Sequence, residues 1–273
     1  MEKRITMKNK YAKNHTFVVC AYKESPYLEE CIQSLIDQTI KSNILITTST
    51  PNAHIENIAK KYEIPVKVNE GESGIVQDWN FAYRQVKTDY LTIAHQDDIY
   101  LENYLEGFYQ KINNVKNPLI YFCNYGEIRN GIAVDNNRLL SVKRIMLKPL
   151  EWKRTWNSIW VRRRVLSLGC GICCPSVIYN KKLIKQPPFE VQYRSDEDWQ
   201  AWEKLSRKKG AFVYNPEIGM RHRVHEESET SIILNDGARA REDYEMFCKF
   251  WPRFIAKVLV RFYSSSEKSN QME

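Results

Sequence analysis

A single α/β domain with a mostly parallel sheet and a helical C-terminal addition is the fold class this sequence predicts. Three observations lead there. Short β-rich runs alternate with stretches of helical apolar spacing through the first half of the chain. Of the 273 residues, 43% are hydrophobic and only 10 are Gly, a composition that excludes disordered and collagen-like chains. Neither a repeat nor a low-complexity linker divides the sequence, and a domain of this class takes roughly 100–200 residues or somewhat more.

The elements follow in order. Residues 1–14 are polar and read as an N-terminal tail. Thr16–Ala21 is a β-rich run that ends at a polar turn, Tyr22 to Pro26. Tyr27, Leu28, Cys31, Ile32, Leu35 and Ile36 then fall on one helical face, with Ser25 as N-cap and Pro26 in the first helical position. Asn43–Thr47 reads as a second strand, and Ile55, Ile58, Ala59 and Tyr62 mark a second helix. Ile64–Val68 is a third strand, while Ile75, Trp79, Ala82 and Val86 form a third helix. Tyr90–Ala94 is a fourth strand, running into His95-Gln96-Asp97-Asp98. A helix through Leu101, Tyr104, Leu105, Phe108 and Ile112 and a strand Leu119–Cys123 follow. From Gly126 to Lys148 no period is clear, and an extended excursion is expected. Leu150–Leu166 is helix-like, Ser176–Tyr179 strand-like and Glu197–Leu205 helical. Residues 238–263 read as helix, broken near Trp251-Pro252. The domain boundaries drawn from this are a tail over 1–14, the α/β domain over 15–230 and the helical extension over 231–273.

Charge and cysteine content narrow the function classes. With 41 Lys+Arg against 33 Asp+Glu, the net charge is +8. Nucleic acid, an anionic membrane surface, a polyanionic substrate or a merely solvated surface each account for such a surplus. The basic residues are dispersed, with clusters at Lys143–Arg144, Arg162–Arg164 and Arg207–Lys209, and no nucleic-acid module motif is present, so no nucleic-acid partner is expected. Seven Cys is an odd number and excludes a fully paired disulfide framework. The start, MEKRITMKNK, has no apolar stretch behind its charge, and Lys257 and Arg261 break the longest apolar candidate. A cytoplasmic protein in a reducing compartment is expected.

Ligands of open α/β sheets bind beyond the carboxyl ends of the strands. The residues there are Ala21, Tyr22 and Glu24 after strand one, Thr48, Ser49 and Thr50 after strand two, and His95 to Asp98 after strand four. Adjacent carboxylates at a strand end suit a hard divalent cation that also carries phosphate oxygens, although an acidic helix cap accounts for Asp98 equally well. A second acidic cluster, Ser195 to Asp198, lies at a helix start. It is either a cap or the source of a general base. Behind it lies Arg221-His-Arg-Val-His225, where His225 is a structural residue, a metal ligand or a phosphate contact.

Together these features resemble family 2 glycosyltransferases. The match runs from Phe17-Val-Val-Cys-Ala-Tyr-Lys-Glu-Ser-Pro26 to Gln38, through Gly74, Asn80, the Tyr90–Tyr100 segment and Glu197-Asp198, to Arg223-Val-His225-Glu-Glu-Ser228-Glu-Thr230. The resemblance implies a GT-A fold over about residues 15–230. It implies a nucleoside-diphosphate sugar as donor, with a UDP-sugar favoured, and Mn²⁺ or Mg²⁺ as cofactor. Asp97 is similar to the metal-gripping acid of the Asp-x-Asp motif, and His225 to a late His that reaches metal or diphosphate. Asp198 resembles the catalytic base. Ala21, Tyr22, Glu24, Thr48, Ser49, Asn80, Gln96 and Asp98 fall where the family holds the nucleotide. A glycan or lipid-linked glycan acceptor, inversion at the anomeric carbon and a role in bacterial surface polysaccharide synthesis are implied in the same way.

The chain departs from the family pattern at three places. Thr47, Thr48 and Ser49 stand where acids usually follow strand two, His95 replaces the first Asp of Asp-x-Asp, and Trp79 replaces the Arg before Asn80. The Gln-x-x-Arg-Trp signature of processive members is absent, so single addition is expected. A sugar nucleotidyltransferase would need a Gly-rich loop after strand one, and Ala21 to Pro26 has no Gly. A non-catalytic binding module would not need the retained carboxylates. Trp152, Trp156 and Trp160 lie four apart and are expected on one helical face, as core or as a sugar platform. Cys170-x-x-Cys173-Cys174 lacks zinc spacing toward His222 and His225 and is placed by the resemblance near the acceptor. Residues 247–263 mix aromatic and basic residues, and either dock on the domain or lie on an anionic membrane at the inner face of the plasma membrane.

Overall fold

The computed structural model describes residues 14–225 and 238–270. Most of the expected tail and residues 226–230 of the late motif lie outside the described residues. Strands β1 (His15–Ala21), β2 (Asn43–Thr48), β3 (Val66–Val68) and β4 (Tyr90–His95) are parallel, in the order β3-β2-β1-β4. Helices α1 (Leu28–Ile36), α2 (Ala53–Lys61) and α3 (Ile75–Gln85) connect them. β1 is apolar nearly throughout because it is central and covered on both faces. Phe17 and Val19 pack under α1 and α2, while Val18 packs against α3.

The first helix begins later than the sequence suggests. Tyr27 is its N-cap and Pro26 lies in the preceding turn. Ser25 nevertheless accepts from the Tyr27 N–H at 3.3 Å, so it still tethers the entry into the helix. Gly74 caps α3 at φ 146°, a backbone region that L side chains rarely adopt.

The second half of the sheet is mixed. β8 (Val177–Asn180) runs antiparallel to β4, and β6 (Pro118–Arg129) antiparallel to β8. β9 (Ala211–Val224) is parallel to β6 along its length, and β5 (Ile99–Tyr100) closes the order antiparallel to β9. The carboxyl ends of β1 to β4, β6 and β9 therefore face one edge. The remaining helices are α4 (Tyr104–Ile112), α5 (Arg138–Leu147), α6 (Ile159–Leu166), α7 (Glu197–Ser206), α8 (Ala238–Cys248) and α9 (Arg253–Asn270). α1, α2 and α4 cover one sheet face; α3, α6, α7 and the two C-terminal helices cover the other.

Three expectations are corrected. The stretch from Gly126 to Lys148 is ordered structure: β6 continues to Arg129, turns through Asn130 and Gly131 into β7 (Ile132–Val134), and α5 follows, capped by Asn137. Leu150–Leu166 is not one helix, because short 3₁₀ turns at 148–150 and 153–155 precede the Ser158 cap of α6. The three Trp consequently do not share a face. Trp156 is buried and its Nε1–H donates to Leu150 O at 2.7 Å, whereas Trp152 and Trp160 are exposed. The basic cluster Arg162–Arg164 is partly internal: buried Arg162 donates to Ser206 O at 2.8 Å, and Arg163 pairs with Glu203 at 2.6 Å. The break at Trp251-Pro252 stands as expected, between α8 and α9. α9 docks through buried Ala256 and through the Tyr263 ring, 5.8 Å from that of Trp199. The seven Cys are unpaired.

Candidate active site

The end of β4 is held by β9. Because β5 pairs with β9 with Ile99 opposite Arg221, Asp98 faces His222. Asp98 Oδ1 accepts the Arg223 N–H at 2.9 Å and lies 2.9 Å from His222 Nδ1. The Arg223 side chain donates from Nε to Asp97 O at 2.8 Å and pairs with Glu30 of α1 at 2.5 Å. Its guanidinium also lies 4.3 Å from the centroid of the Tyr27 ring. Asp97 points toward the cleft, with Oδ2 3.0 Å from His225 Nε2 and about a fifth of its side chain exposed.

The electrostatics follow from this packing. Burial pulls the His222 imidazole down, but Asp98, with Asp97 and Glu127 behind it, outweighs that and raises its pKa to about 9. Burial likewise pushes the Asp97 carboxyl up, yet His225, His222 and His95 hold it below its usual value. His95 is lowered by burial against the opposing fields of Asp98 and Asp97. Its ring stacks on Trp79 at 5.0 Å, so two of the residues that depart from the family pattern contact one another.

One ligand atom each from His95, Asp97 and Asp98 lie within 4.8 Å of one another. Asp98 Oδ2 and His95 Nε2 are buried with no hydrogen-bond partner among the described residues. An oxygen-rich set with one imidazole suits Mn²⁺ or Mg²⁺, and the orphaned atoms gain a partner if the cation is bound. Asp98 itself is fully buried and anchors β9.

Asp198 reaches the same cleft from α7. Antiparallel pairing of β8 with β4 puts the segment before β8 beside the end of β4, where Tyr100 Oη donates to Pro175 O at 2.8 Å. Cys170, at the start of that segment, donates from Sγ to Asp198 Oδ2 at 3.4 Å. Burial raises the Cys173 thiol well above its usual range, and both Asp98 and Asp198 add to the shift. The field of Asp198 also reaches His95. The two acidic ends, far apart in sequence, thus lie near enough for their charges to act on the same side chains. Burial raises the Asp198 carboxyl, opposed by the Cys170 thiol and the ammonium of Lys143. Lys143, on α5, is half-buried and donates to Tyr125 Oη at 2.9 Å.

The remaining candidates line the strand ends. The Tyr22 N–H donates to Gln96 Oε1 at 2.9 Å and Gln96 Nε2 returns a bond to Tyr22 O at 3.1 Å, which locks the β1 and β4 ends together. The Tyr22 ring is 47% exposed, whereas Ala21 is buried. Thr48 is buried and accepts the Thr50 N–H at 3.0 Å, and Ser49 donates to Asp78 at 2.7 Å. Asn80 is buried and donates to Phe189 O at 3.1 Å. Glu24 is exposed beside them. Sequence reasoning missed Glu30 and Asp78, which read as ordinary polar positions on helices, and saw Lys143 only as part of a basic cluster in a stretch without a clear period.

Known glycosyltransferases resemble this chain in sequence and in fold. The sequence pattern described as Glycosyl transferase family 2 matches residues 16–170. An uncharacterized glycosyltransferase of Rickettsia typhi is 24% identical over 256 residues, covering 92% of this chain and 74% of its own. The structure of S. aureus TarS 1-349 in complex with UDP-GlcNAc superposes with a TM-score of 0.62 at 15% identity, over 90% of this chain and 70% of that one. The mannosyltransferase PcManGT from Pyrobaculum calidifontis, in complex with GDP-Man and Mn²⁺, gives 0.61 at 13% identity, over 90% and 69%. With the family pattern spanning more than half of the chain and the GT-A arrangement of strands around the paired acids, the protein belongs to glycosyl transferase family 2.

Proposed function

We propose that this glycosyltransferase moves a sugar, with inversion, from a nucleoside-diphosphate sugar to a hydroxyl of a glycan or lipid-linked glycan. The carrying observation is the cluster of His95, Asp97 and Asp98 at the end of β4, with the charge of Asp198 reaching His95 and Cys173 beside it. That UDP-GlcNAc and GDP-Man occupy structures of the same fold supports a nucleotide-sugar donor. Asp97, His95 and the free oxygen of Asp98 would hold a divalent cation, with His225 against Asp97 as a further ligand or orienting group. When bound, such a cation stabilises the negative charge that grows on the leaving diphosphate. Asp198 takes the proton of the acceptor hydroxyl as that oxygen attacks the anomeric carbon from the face opposite the leaving group. A hydroxyl is a poor nucleophile, so the base must act in the transition state, and a carboxyl raised above its ordinary value is the better base.

The expected result with a panel of nucleotide sugars, Mn²⁺ and an acceptor extract is release of free nucleoside diphosphate. Pyrophosphate release, or no product with any donor, rejects the transferase reaction.

A lipid-linked acceptor gives α9 a role at an anionic membrane, in the cytoplasm of a bacterium that builds surface polysaccharide. While one face of α9 packs inward, Phe254 (73%), Val258 (50%) and Phe262 (71%) are exposed at four-residue spacing. Arg253, Lys257 and Arg261 run beside them, and no acid occurs from 249 to 263. No helix among the described residues is long and apolar enough to cross a membrane. Phe254→Ser with Phe262→Ser is expected to cut co-sedimentation with phosphatidylglycerol vesicles by about tenfold, with melting unchanged. Equal sedimentation of variant and parent removes the membrane role. Truncation is the poorer test, since Phe247 and Ala256 belong to the core.

A further inference from the structure

The carboxylate that the family pattern carries after the second strand is absent from β2, which ends in Thr47 and Thr48 with Ser49 following. The structure brings one to that place from a different element. Asp78, in the first turn of α3, accepts a 2.7 Å hydrogen bond from Ser49 Oγ on one oxygen and another of 2.7 Å from Asn69 Nδ2 on the other. Ser49 follows β2 and Asn69 follows β3, so the carboxylate lies over the carboxyl ends of both strands. Its charge reaches Cys20, near the end of β1.

The surroundings are built rather than loose. The Lys23 N–H donates to Thr50 Oγ1 at 2.6 Å, which ties the loop after β1 to the loop after β2 beside the exposed Tyr22 ring. Asn69 is fixed in turn, because its Oδ1 accepts the Gly71 N–H at 3.2 Å and its N–H donates to Thr48 O at 2.7 Å. Asn69, Gln77, Asn80, Arg84 and Val191 line a cavity of about 320 Å³ next to it, within the range of small-ligand sites. Into its wall is set Asn80, whose buried Oδ1 has no hydrogen-bond partner among the described residues.

We propose that Asp78 reads the nucleobase of the donor and selects bases with a ring N–H on their pairing edge. This rests on the nucleotide-sugar reading above and adds a specificity residue to it. An ionised carboxylate only accepts hydrogen bonds, and its two oxygens offer about four sites, of which Ser49 and Asn69 use two. Uracil presents N3–H and guanine N1–H to such an acceptor. Cytosine N3 and adenine N1 present a lone pair at the equivalent position, so lone pairs would oppose one another there. Ser49 and Asn69 fix the direction of the carboxylate, which turns an acid into a reader.

The test is calorimetric titration of the full chain with UDP, GDP, CDP and ADP in the presence of Mn²⁺. The parent protein is expected to bind UDP or GDP at least about tenfold tighter than CDP and ADP, as a charge-assisted hydrogen bond warrants. Whichever of the two is tighter identifies the base. Asp78→Asn, which offers a donor as well as an acceptor, is expected to reduce that preference to about threefold or less, with CDP and ADP affinities within about twofold of the parent. Ser49→Ala keeps the carboxylate but releases its orientation, and an intermediate preference is expected. Nucleotides that bind the parent without base discrimination, a parent that prefers CDP or ADP, or Asp78→Asn that keeps the parental ratio each overturn the assignment of Asp78 alone. Failure of all four to bind overturns the donor reading and the assignment with it. If Asp78→Asn does not fold, the parent panel and Ser49→Ala still decide.

Discussion

Asp198→Asn is expected to lower turnover by about 10²–10⁴ while nucleotide affinity stays within about twofold. The amide keeps the shape of the carboxyl and can still accept the 2.5 Å bond from the Trp199 N–H, so the start of α7 is preserved. What it loses is the ability to take a proton. Since Asp198 is not among the residues that would hold the cation, donor binding survives and the defect falls on the chemical step, as a KM-against-kcat split reports. Unchanged turnover would place the base elsewhere.

The same residue sets a pH signature. Burial raises the Asp198 carboxyl above its ordinary 3.8, so the base becomes available only above the raised value. The acid limb of kcat/KM is therefore expected above the ordinary carboxylate range, and it should vanish in the Asn variant. Stability follows with the opposite benefit. Below the unfolded value both states are protonated and nothing is lost; above the folded value the native state holds a charge it resists, so stability falls as pH rises through that window. Asp198→Asn removes this cost and should melt at the same or a higher temperature at neutral pH. A less active but no less stable variant is what a functional rather than a structural carboxylate gives.

The parallel half of the fold was legible because each strand there is followed by its own helix, and local periodicity carries both. β1 with α1 and β4 with its acidic end need no distant partner to be recognised. β6 and β9 are different. Asn124, Tyr125 and Glu127 in one, and Arg221, His222 and Arg223 in the other, look like loop residues in a linear reading. Most of their partners lie far along the chain, as in the Tyr214 Oη bond to Asn124 and the Arg221 pair with Asp135. Polar residues with remote partners defeat a period-based reading, which is why the Gly126–Lys148 region shows no clear period in the sequence. The chemistry-bearing motifs at Asp97-Asp98, Asp198 and His225 stood out as residue types. Their supports did not, since His222 meets Asp98 across 124 positions and Asp78 meets Ser49 across 29. Only the folded register makes those pairs neighbours.

Asp97→Ala is expected to abolish the Mn²⁺-dependent part of nucleotide binding, an effect of about 10²-fold, and to leave the fold intact. The second half of that expectation comes from how Asp97 is used. Its side chain pairs with His225, whereas the structural bond from Arg223 Nε ends on its backbone oxygen, which any substitution retains. Asp98 is the contrasting neighbour. Its buried carboxylate carries the Arg223 N–H and His222, so truncating it leaves the Arg223 N–H without that acceptor and removes the main charge that keeps the His222 imidazole protonated, and the damage reads out as lost melting temperature. Both acids would touch the cation, and Asp98 alone also holds β9 in place. Titration of UDP and GDP with and without Mn²⁺ separates them. A metal-dependent affinity that survives in Asp97→Ala would move the cation to other residues and remove Asp97 from the reaction.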